Sequence, residues 1–265
     1  MKKKLGIYIH IPFCVRKCAY CDFLSAPADE TTRESYVRAL REEIRSAGSL
    51  SETYEGATVF FGGGTPSLLA GEELAGILDE VSRRLLLRSD AEITVECNPG
   101  TLNRKKLENY KVAGVNRLSI GLQSADNREL KTLGRIHTWE QFRENYALVR
   151  ELGFANVNID LMSALPGQTR EGWLSTLEKV TNLNPEHISA YSLIVEEGTP
   201  FYERYGEERP QESELPGEDL DRLMYEDTEA FLHGKGYERY EISNYAKPGY
   251  ECRHNCSYWE RTDYR

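Results

Sequence analysis

Six short runs rich in β-branched and apolar residues recur between the N-terminus and about Ser192, each separated from the next by a stretch with helical spacing. This alternation limits the chain to repeated βα units around a parallel sheet. The predicted strands are Leu5 to Ile11, Ala57 to Phe61, Glu92 to Glu96, Arg117 to Gly121, Asn156 to Leu161 and His187 to Ser192. Between them, Val37, Leu40 and Ile44 share one helical face, and Leu74, Ile77, Leu78, Val81 and Leu85 share another. Six such units build an open barrel or a doubly wound sheet, and periodicity does not separate the two. Residues 1–195 therefore read as an α/β core. Residues 196–219, acidic and broken by Pro and Gly, read as an exposed connection, and 220–265 as the start of a C-terminal region that opens with a helix.

The chain holds 265 residues, of which 40% are hydrophobic and 29% charged, and no run approaches the length of a membrane span. Its basic, apolar start, MKKKLGIYIHIPFC, superficially resembles a secretion signal. His10, Pro12 and the lack of a small-residue cleavage site make it read instead as a buried first strand. A net charge of −10, with no basic stripe, speaks against a nucleic-acid partner.

Three of the six cysteines fall within eight residues, as Cys14-x3-Cys18-x2-Cys21. Such clustering points to metal or redox chemistry in a reducing, cytoplasmic setting rather than to a disulfide framework. The triad follows the first strand directly, where α/β folds place their sites. Three thiolates on a short loop suit a 4Fe-4S cubane, each taking one iron and leaving the fourth iron open. A structural zinc site would need a fourth ligand, for which only His10 is close in sequence. Buried packing cysteines are the third reading, poorly served by neighbours such as Arg16 and Lys17. Spacing favours the cluster, then zinc, then packing.

The second strand ends in FFGGGTPS, Phe60 to Ser67. Three glycines weaken a strand unless something approaches the backbone closely, which here would be a ligand; a plain tight turn is the competing reading. Glu96, Gln123 and Asp160 lie at or near later strand ends, and Arg135 follows in GRIH. A parallel sheet would gather them at one edge, although each alone is more often a cap or an ion-pair partner.

Taken together, YIHIPFCVRKCAYCDF, FFGGGTPS, VECNPG, RLSIGLQS, GRIH, NIDLMSALPGQ, YEISNYAKPGYECRHN and a closing YW resemble the HemW family of haem chaperones. These are radical S-adenosylmethionine (SAM) relatives of the oxygen-independent coproporphyrinogen III oxidase HemN. The resemblance implies a radical SAM core over 1–195, an open partial (β/α)6 TIM-like barrel. It also implies that Cys14, Cys18 and Cys21 ligate a 4Fe-4S cluster whose open iron SAM chelates through its amino and carboxylate groups. Tyr8 and Tyr20 would flank SAM, Gly63, Gly64 and Thr65 would meet it along the backbone, and Glu96, Gln123, Arg135 and Asp160 would supply polar contacts.

In the oxidase branch a fourth cysteine stands where this chain has Phe23, which favours the chaperone branch. That branch carries an HNxxYW motif implicated in holding haem, here His254, Asn255, Tyr258 and Trp259. Cys252 and Cys256 bracket the histidine without forming the C-x-x-C-H of covalent haem attachment. The implied function is capture of haem and its delivery to respiratory haem proteins. The competing function is anaerobic oxidative decarboxylation of coproporphyrinogen III in porphyrin biosynthesis. Implied partners are the haem acceptors, which could bring the protein to a membrane surface, and flavodoxin or ferredoxin as reductant if SAM is cleaved; a homodimer is compatible. Family members continue past the motif into a further domain, whereas this sequence stops at Arg265, a departure that bears on haem retention more than on cluster binding.

Overall fold

The computed structural model describes residues 2–265. In chain order the elements are β1 (Lys3–Ile11), α1 (Glu30–Ser46), β2 (Tyr54–Gly63), α2 (Gly71–Leu85), β3 (Leu87–Cys97), α3 (Arg104–Ala113), β4 (Arg117–Gln123), α4 (Asn127–Thr132), α5 (Trp139–Glu151), β5 (Val157–Ser163), α6 (Arg170–Thr181), β6 (His187–Ser192), α7 (Pro200–Tyr205), α8 (Glu218–Gly234), β7 (Glu238–Arg239), β8 (Asn244–Ala246) and α9 (Arg253–Trp259). The strands form one open sheet in the order β1-β2-β3-β4-β5-β6-β8-β7. Strands β1 to β6 are parallel, and β8 runs antiparallel to β6. The six βα units expected from the alternation are thus present, in the open, unclosed arrangement that the family resemblance implies.

Successive strand residues point to opposite faces. One face presents Ile7, Ile9, Val59, Phe61, Val95, Leu118, Ile120, Ile159 and Ile188, all buried in a single core with the apolar sides of the helices. Burial of each such side chain contributes roughly 1.5–3 kcal/mol, so the register of the sheet follows from this face. The helices start where side chains cap them: Asp29 accepts from Thr32 N at α1, and Thr138 with Gln141 forms a capping box at α5.

The opposite face is polar. It carries Thr58 on β2, Glu92, Thr94 and Glu96 on β3, Arg117, Ser119 and Gln123 on β4, Asn158 and Asp160 on β5, and His187 and Ser189 on β6. Buried parallel strands usually read as continuous apolar runs; this alternation marks a sheet whose inner side lines a cavity.

The acidic stretch 196–219 differs from the bare connection expected. It contains α7, whose Phe201 and Tyr205 are buried with Leu133, Met162 and Leu165 in a second apolar cluster. The strands β7 and β8, two and three residues long, were below what periodicity resolves. Beyond α9 the chain returns to the free edge of β1, where Gly6 N donates to Asp263 O at 2.9 Å and Tyr8 N to Arg265 O at 2.8 Å.

Candidate functional site

The polar ends of β2 to β6 and the loop after β1 enclose an open cavity of about 560 Å³, within the range of small-molecule sites. Twelve of the sixteen residues singled out from the sequence line it: Cys14, Cys18, Cys21, Tyr20, Gly63, Gly64, Thr65, Glu96, Gln123, Arg135, Asp160 and Asn255. Tyr8, His254, Tyr258 and Trp259 do not.

The cysteine loop is fixed from both sides. Gly64 N donates to Ile11 O at 2.9 Å and Cys14 N to Ala26 O at 3.1 Å. A Cβ on Gly64 would lie 2.7 Å from Phe13 O and 3.0 Å from Cys14 Sγ, and Gly63 adopts φ +112° against the His10 ring. The close approach foreseen for the glycine run is therefore first an approach of the chain's own loop. Thr65 Oγ1 donates to Cys14 Sγ at 3.5 Å, and Arg135 Nη1 to Cys18 Sγ at 3.6 Å. The three thiols are free and partly exposed. Burial pushes the Cys21 thiol up. Among the described residues no three His, Cys, Asp or Glu side chains converge on one metal ion. A cubane takes one thiolate per iron and needs no such convergence.

Arg135 is anchored through Nη2 on Asn98 Oδ1 at 2.8 Å and Gly121 O at 2.6 Å, while its Nε is buried without a partner. Glu96 accepts from Gly63 N at 3.1 Å. Burial, then the nearby Asp160 carboxylate, pushes Glu96 up to about 8, so it is largely protonated at neutral pH. Gln123 holds φ +74°, a left-handed conformation costly for a side chain of its size, and accepts from Tyr191 OH at 2.9 Å.

The HNxxYW residues separate. His254, implied as one of the haem-holding residues, is 1% exposed. Its Nδ1 is hydrogen-bonded to Thr58 Oγ1 at 2.8 Å and its Nε2 to Tyr258 OH at 3.0 Å. It stacks on Phe60 at 5.0 Å, and burial, with Arg117 adding to it, pushes it down to about 4. With both nitrogens hydrogen-bonded, the imidazole lies at the lower end of the barrel and is not part of the cavity lining. Asn255 reaches the cavity, whereas Trp259, 63% exposed, faces a separate surface depression beside Ile242 and Cys256. Cys252 is buried beside Glu92. Tyr8, on the edge strand β1, packs on Phe60 and hydrogen-bonds His10 at 3.3 Å, outside the cavity lining.

Sequence reasoning missed Asn98, Arg117, Ser119, Asn158 and Tyr191, which also line the cavity. For all but Asn98, which follows β3, the signal was the two-residue alternation of RLSIGLQ, NID and HISAY, which puts Arg117, Ser119, Asn158 and Tyr191 on one face with Gln123 and Asp160.

Residues 8–180 match the radical SAM superfamily. The haem chaperone HemW of Escherichia coli is 44% identical over 261 residues, which are 98% of this chain and 67% of that protein. HemW of Bacillus subtilis is 40% identical, over 97% of this chain and 67% of its own length. Among solved structures, the coproporphyrinogen III oxidase HemN of Escherichia coli superposes with a TM-score of 0.84 at 27% identity, over 94% of this chain and 57% of that enzyme. The chain thus spans about two thirds of the chaperones it matches. It belongs to the HemW family of haem chaperones, within the radical SAM superfamily.

Proposed function

We propose that the chain is a haem chaperone on a radical SAM scaffold, with Cys14, Cys18 and Cys21 as ligands of a 4Fe-4S cluster and SAM in the cavity beneath it. The observation that carries this reading is the gathering of the three thiols at the mouth of one cavity, two of them accepting from Thr65 and Arg135. Donors aimed at sulfur suit thiolates that carry charge. A bound cluster would supply one-electron chemistry. The chain's own residues do the rest: Arg135, with an unused Nε, is a donor for a carboxylate. Glu96 and Asp160 present oxygens for hydroxyl or ammonium groups, and Gln123, held in a strained backbone, is aimed rather than free.

Haem would be delivered to respiratory haem proteins, with flavodoxin or ferredoxin as the reductant if SAM is cleaved, in the cytoplasm. Among the described residues no helix is long and apolar enough to cross a membrane. Phe23, 68% exposed at the cavity rim where the oxidases have a cysteine, supports the chaperone over the oxidase.

Anaerobic incubation of the reduced, cluster-loaded protein with SAM and either haem or coproporphyrinogen III tests this choice. Stoichiometric haem binding without turnover is expected; protoporphyrinogen formation would overturn the reading. Cys18→Ala should lose the broad iron-sulfur absorbance entirely while remaining folded, since two thiolates do not hold the cubane; retention of a full complement of iron would contradict the ligand assignment. Glu96 supplies a pH test. Its folded value lies above the ordinary 4.5, so its contribution to stability is complete below 4.5 and is lost as pH rises through about 8. In the SAM-free protein, Glu96→Gln should therefore gain Tm relative to the parent progressively across that window. A constant difference would contradict the burial of Glu96 without a cation.

A further inference from the structure

The polar inner face carries one charged group that the cysteine end of the cavity does not use. Arg117, at the start of β4, lines the cavity floor, is 2% exposed, and its Nε is buried without a hydrogen-bond partner. The neighbouring carboxylates are engaged elsewhere. Glu92 accepts from the N–H groups of Arg253 and His254 at 3.1 and 3.0 Å. Asp160 accepts from Asn158 Nδ2 at 2.7 Å and from Ser119 Oγ at 3.2 Å. Burial works against the Arg117 charge; the longer-range pull of Cys252, then of Glu92, Tyr240 and Asp160, outweighs it and holds the group above its ordinary value, without removing the cost of burial. A guanidinium does not escape this by losing its proton, and a charge held away from water without a partner is costly. The cavity lining also includes Asn244 and Asn255, neutral amides able to donate to an anion without adding charge.

We propose that Arg117 is the recognition point for an organic carboxylate entering the floor of this cavity. A planar guanidinium binds a carboxylate through two parallel hydrogen bonds, and a partly closed, low-dielectric floor strengthens them. The other cavity arginine, Arg135, is tied to Gly121 O, four residues further along β4, roughly 13 Å away at the rise of a strand. The two arginines therefore serve opposite ends of the cavity, and one small carboxylate does not satisfy both. The propionate arm of a porphyrin has the required chemistry, as does a free short-chain acid. The proposal rests on the reading of this cavity as the ligand site and names what its deep end selects.

Arg117→Met and Arg117→Lys are compared with the parent in the cluster-reconstituted protein, using sodium propionate, haem and haem dimethyl ester as probes. Without ligand, Arg117→Met should keep or raise Tm, because it removes an unpartnered buried charge; a clear fall would make Arg117 a structural ion-pair member and overturn the proposal. Propionate should raise the Tm of the parent and leave that of Arg117→Met unchanged. Haem should bind Arg117→Met at least roughly tenfold more weakly, the loss expected for one charge-assisted pair. Arg117→Lys should fall between the two, and the dimethyl ester should bind all three alike. Equal haem affinity in parent and Arg117→Met, with equal propionate shifts, would also overturn it. If the parent binds no haem yet propionate stabilises it through Arg117, the carboxylate site stands and the chaperone reading falls.

Discussion

The cavity depends on how closely the end of β2 can approach the loop after β1. Gly64 packs its bare backbone against Phe13 O and the Cys14 sulfur, at distances that leave no room for a Cβ, and its N–H closes onto Ile11. That contact holds the cysteine loop over the C-terminal edge of the sheet rather than letting it swing into solvent. From there, Thr65 after β2 and Arg135 between α4 and α5 reach two of the three sulfurs. The apolar outer face sets the register of the strands. Because register fixes which alternate residues point inward, the same packing that stabilises the barrel also decides which polar groups meet in its interior.

Those polar groups are arranged as an unbalanced set. Glu96 is pushed toward its neutral form by burial and by Asp160, while Arg117 stays charged at the opposite end without a direct partner. A core built only for stability would have apolar residues in these places, since burying unpaired charge is unfavourable. The imbalance is what a binding cavity needs: groups whose requirements are completed by a ligand. The lower end of the barrel, by contrast, is complete. His254 is bonded at both nitrogens, and Glu92 accepts from the first N–H groups of α9, so that this short helix plugs the interior below the cavity.

Much of this was legible in the chain itself. The six strands stood out because their outward residues are apolar and β-branched, and the cysteine triad stood out because its position after the first strand fixes where it projects. The grouping of Glu96, Gln123, Arg135 and Asp160 followed from strand ends meeting at one edge. The fate of the last motif did not follow, because it depends on where α9 folds back. His254, implied as a haem residue, is buried by its neighbour Tyr258 and, from nearly two hundred positions away in the chain, by Phe60 and Thr58. Arg117 escaped notice for a related reason: in sequence it is one more strand-initial arginine, and only the packed interior reveals that the carboxylates around it are already committed.

The central claim is that three thiols on the first βα loop hold an incompletely ligated iron-sulfur cubane. Protein isolated without exposure to oxygen and analysed for iron, labile sulfide and zinc, together with an electron paramagnetic resonance spectrum of the reduced form with and without SAM, tests it most directly. The account predicts about four irons and four sulfides per chain, with a spectrum that changes when SAM is added. Zinc in place of iron, with no labile sulfide, would contradict it.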